Sequence, residues 1–149
     1  GKKLDGENNF VYVLCGDGES EEGQIWEAGM FAVHHKLDNL IAMTDWNGQQ
    51  IDGTVASVAG EGDLEEKWKA FGWNTIVADG HDFEAIADAL AKAKANKGCP
   101  TMILFKTDMA TALTLWQALA NGTEKLLHRN SAKQHFLSSK KLLETININ

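Results

Sequence analysis

Four apolar, β-rich runs punctuate the chain up to Phe105, at residues 10–15, 40–44, 74–78 and 101–105, and stretches of helical character separate them. A continuous apolar run, rather than strict alternation, is the pattern of a strand buried on both faces. Strands alternating with helices at this spacing predict an α/β fold, a parallel sheet with helices on both faces. The chain has 149 residues, enough for one domain with a real core and hardly for two.

The segments between the runs carry their own signals. Residues 21–35 read as a helix, with Glu21 and Glu22 favouring the positive end of its dipole and Ile25, Ala28, Gly29 and Ala32 as its packing face. Residues 46–59 are rich in Gly, Asn, Asp and Gln and read as a loop. Asp63 followed by Glu66 resembles a capping box opening a short helix through Ala70. Asp82 is placed to cap a helix carrying Phe83, Ile86, Leu90 and Ala93 on one side, and Gly98 and the only proline, Pro100, separate it from the last strand.

Composition narrows the partners. The net charge is −7 with no basic patch, which argues against nucleic acid and acidic membranes. No apolar run approaches the roughly 20 residues needed to span a bilayer, and no leader pattern is visible. Cys15 and Cys99 both flank strand-like runs and are expected as reduced thiols, which fits a cytoplasmic protein. The first nine residues are polar and lead at once into a strand. Parallel α/β domains ordinarily place more chain ahead of such a strand, so a truncated domain is expected.

Ligands of such sheets bind beyond the C-terminal strand ends. Two of these ends carry unusual polar groups, Gly16-Asp17-Gly18 and Asp45-Trp46-Asn47-Gly48-Gln49. Glycines let backbone N–H groups approach an anion closely. Asp17 and Asn47 offer hard oxygens suited to Mg²⁺ or Ca²⁺. Taken singly, Gly-Asp-Gly is a turn signal and Asp-x-Asn a set of local side-chain-to-backbone bonds. The pair is separated by one helix and one strand, which should make the two loops neighbours. A diphosphate and a divalent ion held jointly would explain them.

Gly-Asp-Gly followed some thirty residues later by Asn is the thiamine diphosphate signature. The surrounding residues 16–28, 36–41 and 47–53 resemble transketolases, most closely the N-terminal subunit of the split type, from about Phe10 to Met109. The resemblance implies a truncated thiamine-diphosphate-binding (diphosphate-domain) fold. In it Asp17 and Asn47 ligate the cation by side chain and Gln49 by its backbone carbonyl. Gly16 and Gly18 belong to the diphosphate loop, with the Gly18 amide on the diphosphate. Ile51 and Gly53 lie in the segment lining the cofactor. Glu22 matches a glutamate near the subunit interface that communicates with the activating glutamate of a second site; a plain helix-start carboxylate is the alternative.

The implied activity is transfer of a two-carbon ketol unit between sugar phosphates, in carbohydrate metabolism of the pentose phosphate kind. The implied partner is a C-terminal transketolase subunit carrying the pyrimidine-binding domain, without which the single chain is expected to be inactive. His34, His35 and His81 match no catalytic position and are expected at the surface or at helix ends. Trp26, Trp46, Trp68 and Trp73 are expected in the core or an interface. A non-catalytic module binding thiamine diphosphate or a partner subunit is the alternative. A nucleotide-binding α/β protein is disfavoured, because Glu19, Glu21 and Glu22 stand where its phosphate would sit.

The sequence departs from the family in two places. Residues 1–9 hold neither the substrate histidines nor the glycine-rich cofactor segment expected ahead of the first strand. Lys106-Thr107-Asp108-Met109 opens the family's Lys-Thr-x-x-Gly-x-Gly segment, but Ala110 and Ala112 replace the glycines. Restoring a single base after Met109 allows residues 110–149 to be read with those glycines, a Trp-His-Gly-x-Ala-Pro run and a stop codon. The expected organisation is therefore a partial diphosphate-binding domain at 1–109 and a frameshifted tail at 110–149, helical if ordered. A divergent C-terminal helix is the alternative.

Overall fold

The computed structural model describes residues 1–2 and 4–108, which lie within one compact unit; the tail expected at 110–149 lies outside the described residues. Its elements are β1 (Val11–Gly16), a 3-10 turn (Gly18–Glu21), α1 (Gly23–His34), β2 (Leu40–Trp46), β3 (Gln49–Gln50), β4 (Gly53–Thr54), α2 (Val55–Val58), α3 (Leu64–Ala70), β5 (Asn74–Asp79), α4 (Phe83–Ala95) and β6 (Thr101–Lys106). The four long strands form one parallel sheet in the order β1-β2-β6-β5.

That order explains why helices cover both faces. The chain steps in one direction from β1 through β2 to β5, then turns back to insert β6 between β2 and β5. Right-handed crossovers place helices of opposite stepping direction on opposite faces. Strand alternation confirms the division. Ala42, Met102 and Leu104 pack with Ala32 of α1 and Leu64 and Trp68 of α3. Ile41, Ile103 and Phe105 point the other way, onto Ala89 and Ala93 of α4.

Close approach of α1 to α3 depends on Gly29. A Cβ there would meet Trp68 Cζ3 at 2.9 Å, well inside normal contact. Trp68 stacks on Trp26 at 4.8 Å between ring centres, and Trp73 donates its indole N–H to the Gly29 carbonyl at 3.1 Å. These tryptophans are the core aromatics that the sequence suggested.

The helix starts follow their caps. Asp63 accepts from the Glu66 N–H and Asp82 from those of Glu84 and Ala85, satisfying donors that a first turn leaves free. The Asp63 box is half-formed, because Glu66 turns its carboxylate to Lys69 instead of back to the cap.

Several expectations are corrected. β1 is not buried on both faces: it is an edge strand, with Leu14 68% exposed and Val11, Tyr12 and Val13 each more than two-fifths exposed. Among the described residues nothing pairs with its outer edge, so the apolar run has nothing to pack against on that side. Ala28 is exposed on α1 and Phe83 on α4, because the contact stripes run through Gly29 and Ala32, and through Ala89 and Ala93. The helix expected from Glu21 begins at Gly23 after the 3-10 turn. The loop after β2 holds the short hairpin β3–β4 and the single turn α2.

Candidate functional site

Parallel register brings the C-terminal ends of all four strands to one edge of the sheet. Gly16 pairs with Asp45, Trp46 with Lys106, and Lys106 with Asp79. The loops leaving β1 and β2 therefore meet, as the spacing of the two motifs suggested. Asp17 makes the junction. Its N–H donates to the Asp45 carbonyl at 3.1 Å. Its Oδ1 accepts from the Gly18 N–H at 2.8 Å, and its Oδ2 accepts from the Gly48 N–H. The side chain is almost wholly buried, and backbone donors on both oxygens offset the cost of removing a carboxylate from water.

Asn47 is held from both ends of its amide. Its Nδ2 donates to Asp45 Oδ2 at 3.0 Å, and its Oδ1 accepts from the Gln49 N–H at 2.8 Å. An amide or carboxylate oxygen has more than one lone pair, so these bonds leave acceptor capacity on Asn47 Oδ1 and on Asp17. In the first loop, the Gly16 N–H is taken by the carboxylate of the exposed Glu19 at 3.1 Å. Gly18 lies against the Gln50 side chain so closely that no Cβ fits there. Both N–H groups of the glycine loop thus already face carboxylate oxygens, the partners that an anionic ligand would replace.

An open cleft of about 330 Å³ lies between the loops, lined by Gly16, Asp17, Gly18, Glu19, Asn47 and residues 49–52. The structure brings together Gly16, Asp17, Gly18, Asn47, Gln49 and Ile51, with Ile51 fully exposed at the hairpin tip. Glu22 is not among the lining residues. It is the exposed N-cap of α1, and its side chain makes no capping bond. His34 and His35 are exposed at the end of α1, while the exposed His81 precedes α4 and accepts the Asp108 N–H at 2.8 Å.

Two acidic residues matter here beyond the roles that the sequence assigned: Asp45, which it named only as the opening of the second polar motif, and Glu61, which it did not mark at all. Asp45 is the next-to-last residue of β2, and residue order alone gave it no role of its own. Glu61 sits in Gly60-Glu61-Gly62 with no motif to mark it, yet its carboxyl is pushed up to about 7. Burial is the main cause, followed by the negative charges of Asp17 and, more weakly, Glu21; the Trp46 indole and Lys67 oppose the shift. Glu61 Oε2 and Gln50 Nε2 are buried without a hydrogen-bond partner.

Comparison with known proteins places this arrangement. The sequence profile of the family described as transketolase, thiamine diphosphate binding domain, matches residues 2–123. The chain belongs to that family. The match begins before Phe10 and runs past Met109, so family likeness is wider than the motifs alone revealed.

Among its relatives, this family member is 50% identical over 99 residues to the 6-deoxy-6-sulfo-D-fructose transketolase subunit SqwG of Clostridium sp. (strain MSTE9), covering 66% of this chain and 36% of that one. It is 37% identical to human transketolase across 97% of this chain and 24% of that one. The crystal structure of transketolase from Campylobacter jejuni superposes with a TM-score of 0.66 at 36% identity, covering 70% of this chain and 16% of that one. The chain thus spans little more than a third of the SqwG subunit and about a quarter or less of the full-length enzymes. The parallel sheet with its flanking helices is the fold of transketolase N-terminal domains. No helix among the described residues is long and apolar enough to cross a membrane.

Proposed function

We propose that this chain is the diphosphate- and cation-binding part of a thiamine-diphosphate-dependent transketolase. The observation that carries the reading is the bridge from Asp17 to the Gly48 N–H, which locks the two motif loops together with Asn47 beside them. The donor chemistry fits the group. The Asp17 carboxylate, the Asn47 amide oxygen and the Gln49 backbone carbonyl are hard donors for Mg²⁺ or Ca²⁺. Among the described residues no three His, Cys, Asp or Glu side chains assemble a metal site. Three protein oxygens would be only part of the six or more that such a cation takes.

When bound, thiamine diphosphate supplies the two-carbon carrier chemistry, and the protein supplies binding and orientation. Asp17 holds the loops and offers charge to the cation. Gly16 and Gly18 offer N–H groups to the diphosphate once the exposed Glu19 carboxylate yields the Gly16 donor and Asp17 Oδ1 yields that of Gly18. Ile51 offers apolar surface at the rim of the cleft. Glu22, exposed and uncapped at the start of α1, is available to a neighbouring subunit for proton communication with the second half of the cofactor site.

The reaction is two-carbon ketol transfer from a ketose phosphate to an aldose phosphate, in the cytoplasm. The partner is a C-terminal transketolase subunit carrying the pyrimidine-binding domain, and the single chain is inactive without it. The SqwG relative is itself a transketolase subunit, which supports a two-chain arrangement. We also read residues 1–109 as the domain part proper and 110–149 as the frameshifted tail.

Calorimetric titration of thiamine diphosphate into the chain, with and without Mg²⁺, tests the reading. Metal-dependent binding that Asp17→Ala abolishes is the expected result. No binding at millimolar ligand would overturn it.

A further inference from the structure

We infer that Asp45, held in place by Thr107, is a positioning residue that orients Asn47 as a cation ligand; the inference rests on the cation reading of Asp17 and Asn47 given above. A primary amide has two orientations of nearly identical shape, and only its hydrogen-bond partners decide which face shows oxygen. Asn47 has two such partners. Asp45 Oδ2 accepts from its Nδ2 at 3.0 Å, and its Oδ1 accepts the Gln49 N–H at 2.8 Å. Turning the amide over would set its oxygen against the Asp45 carboxylate and its NH₂ against the Gln49 N–H. Both ends penalise the reversed state.

The Asp45 carboxylate is itself fixed. Its Oδ1 accepts the Thr107 hydroxyl, which leaves Oδ2 for Asn47. Thr107 is placed in turn by its N–H, which donates to the Trp46 carbonyl at 3.2 Å. Its methyl packs over Gly80, where no Cβ fits. The exit of β6 therefore sets the side chain at the end of β2. The Asp45 backbone carbonyl meanwhile accepts the Asp17 N–H at 3.1 Å. Both side-chain ligands of the proposed cation thus hang on one residue, Asp17 through the Asp45 main chain and Asn47 through its carboxylate. A carboxylate behind the amide N–H also polarises the amide toward its oxygen, the outer-shell arrangement that raises ligand basicity.

The test is calorimetric titration of Mg²⁺ into the full chain at saturating thiamine diphosphate. Asp45→Asn and Thr107→Val should each weaken Mg²⁺ about 10- to 100-fold, while Thr107→Ser, which keeps the hydroxyl, should bind within a few-fold of wild type. In an Asn47→Ala background Asp45→Asn should cause no further loss, a result that a merely structural role would not give. Thermal midpoints of the metal-free variants establish that each is folded. Unchanged Mg²⁺ binding in Asp45→Asn and Thr107→Val, alongside loss in Asp17→Ala, would overturn this inference and leave the cofactor reading standing. An undiminished Asp45→Asn effect in the Asn47→Ala background would overturn it too. Absence of binding by the wild-type chain would overturn both.

Discussion

Asp17 accepts the backbone N–H of Gly48, a bond between the loop that ends β1 and the loop that ends β2. These residues are 31 positions apart in the chain. The bond gives a buried carboxylate a structural task before any ligand arrives, because it satisfies a backbone donor that the hairpin leaves open. Stability and ligand binding are therefore coupled at this residue.

Gly48 makes that bond from a left-handed backbone, with φ of 72°. Gly48→Ala should cost about 1–2 kcal/mol in folding stability, the usual penalty for placing a Cβ in that region. Gly48→Asn should cost less, since Asn tolerates the conformation better than other residues do. Urea unfolding of the two variants checks this, and equal stability of Gly48→Ala and wild type would count against the conformational argument.

Glu61 predicts a dependence on pH. Its carboxyl titrates near 7 in the fold against an ordinary value of 4.5, so the folded chain binds more protons than the unfolded one between those values. Its contribution to stability is complete below pH 4.5 and is lost as the pH rises through about 7. Glu61→Gln should remove this part of the pH dependence and raise the thermal midpoint at pH 8 relative to pH 5. Identical pH profiles for variant and wild type would show that the shift has no energetic weight.

The outer edge of β1 predicts association. Leu14 is 68% exposed on a strand whose far edge has no partner among the described residues, and unpaired apolar edges invite pairing. Sedimentation at micromolar concentration should show oligomers of the isolated chain, with Leu14→Lys shifting the distribution toward monomer. A wild-type chain that stays monomeric at high concentration would refute the prediction.

The source gene tests the reading of the tail. A base missing just after Met109 predicts that the shifted frame encodes the glycines and the Trp-His-Gly run of the family. An intact frame for residues 110–149, shared with close relatives, would refute it, and the continuation of the family match to residue 123 makes the check worthwhile.

Much of this was legible from residue order because it depends on local chemistry. Apolar runs located the strands, Asp63 and Asp82 announced their helices, and a helix-plus-strand spacing made the Asp17 and Asn47 loops neighbours. The resemblance then supplied the candidate roles. Exposure was harder to read. The run from Val11 records what β1 is suited to pack against, whereas its place at the sheet edge depends on which strands stand beside it. Ala28 and Phe83 fit a helical stripe on paper, yet the contact line follows the smaller Gly29, Ala32, Ala89 and Ala93, where the helices approach the sheet most closely.

Sequence alone determined the order of the four long strands and the helices between them, the parallel α/β class and the two polar loops, since strand propensity, capping and turn chemistry act over a few residues. Only the tertiary structure decided how the site is braced. Asp45 and Thr107 lie 62 positions apart, and no local pattern relates them; they meet because β6 inserts beside β2 in register. Glu61 likewise draws its raised pKa from burial and from charges that the fold brings near. Long-range electrostatics and sheet register are set by where strands finally lie.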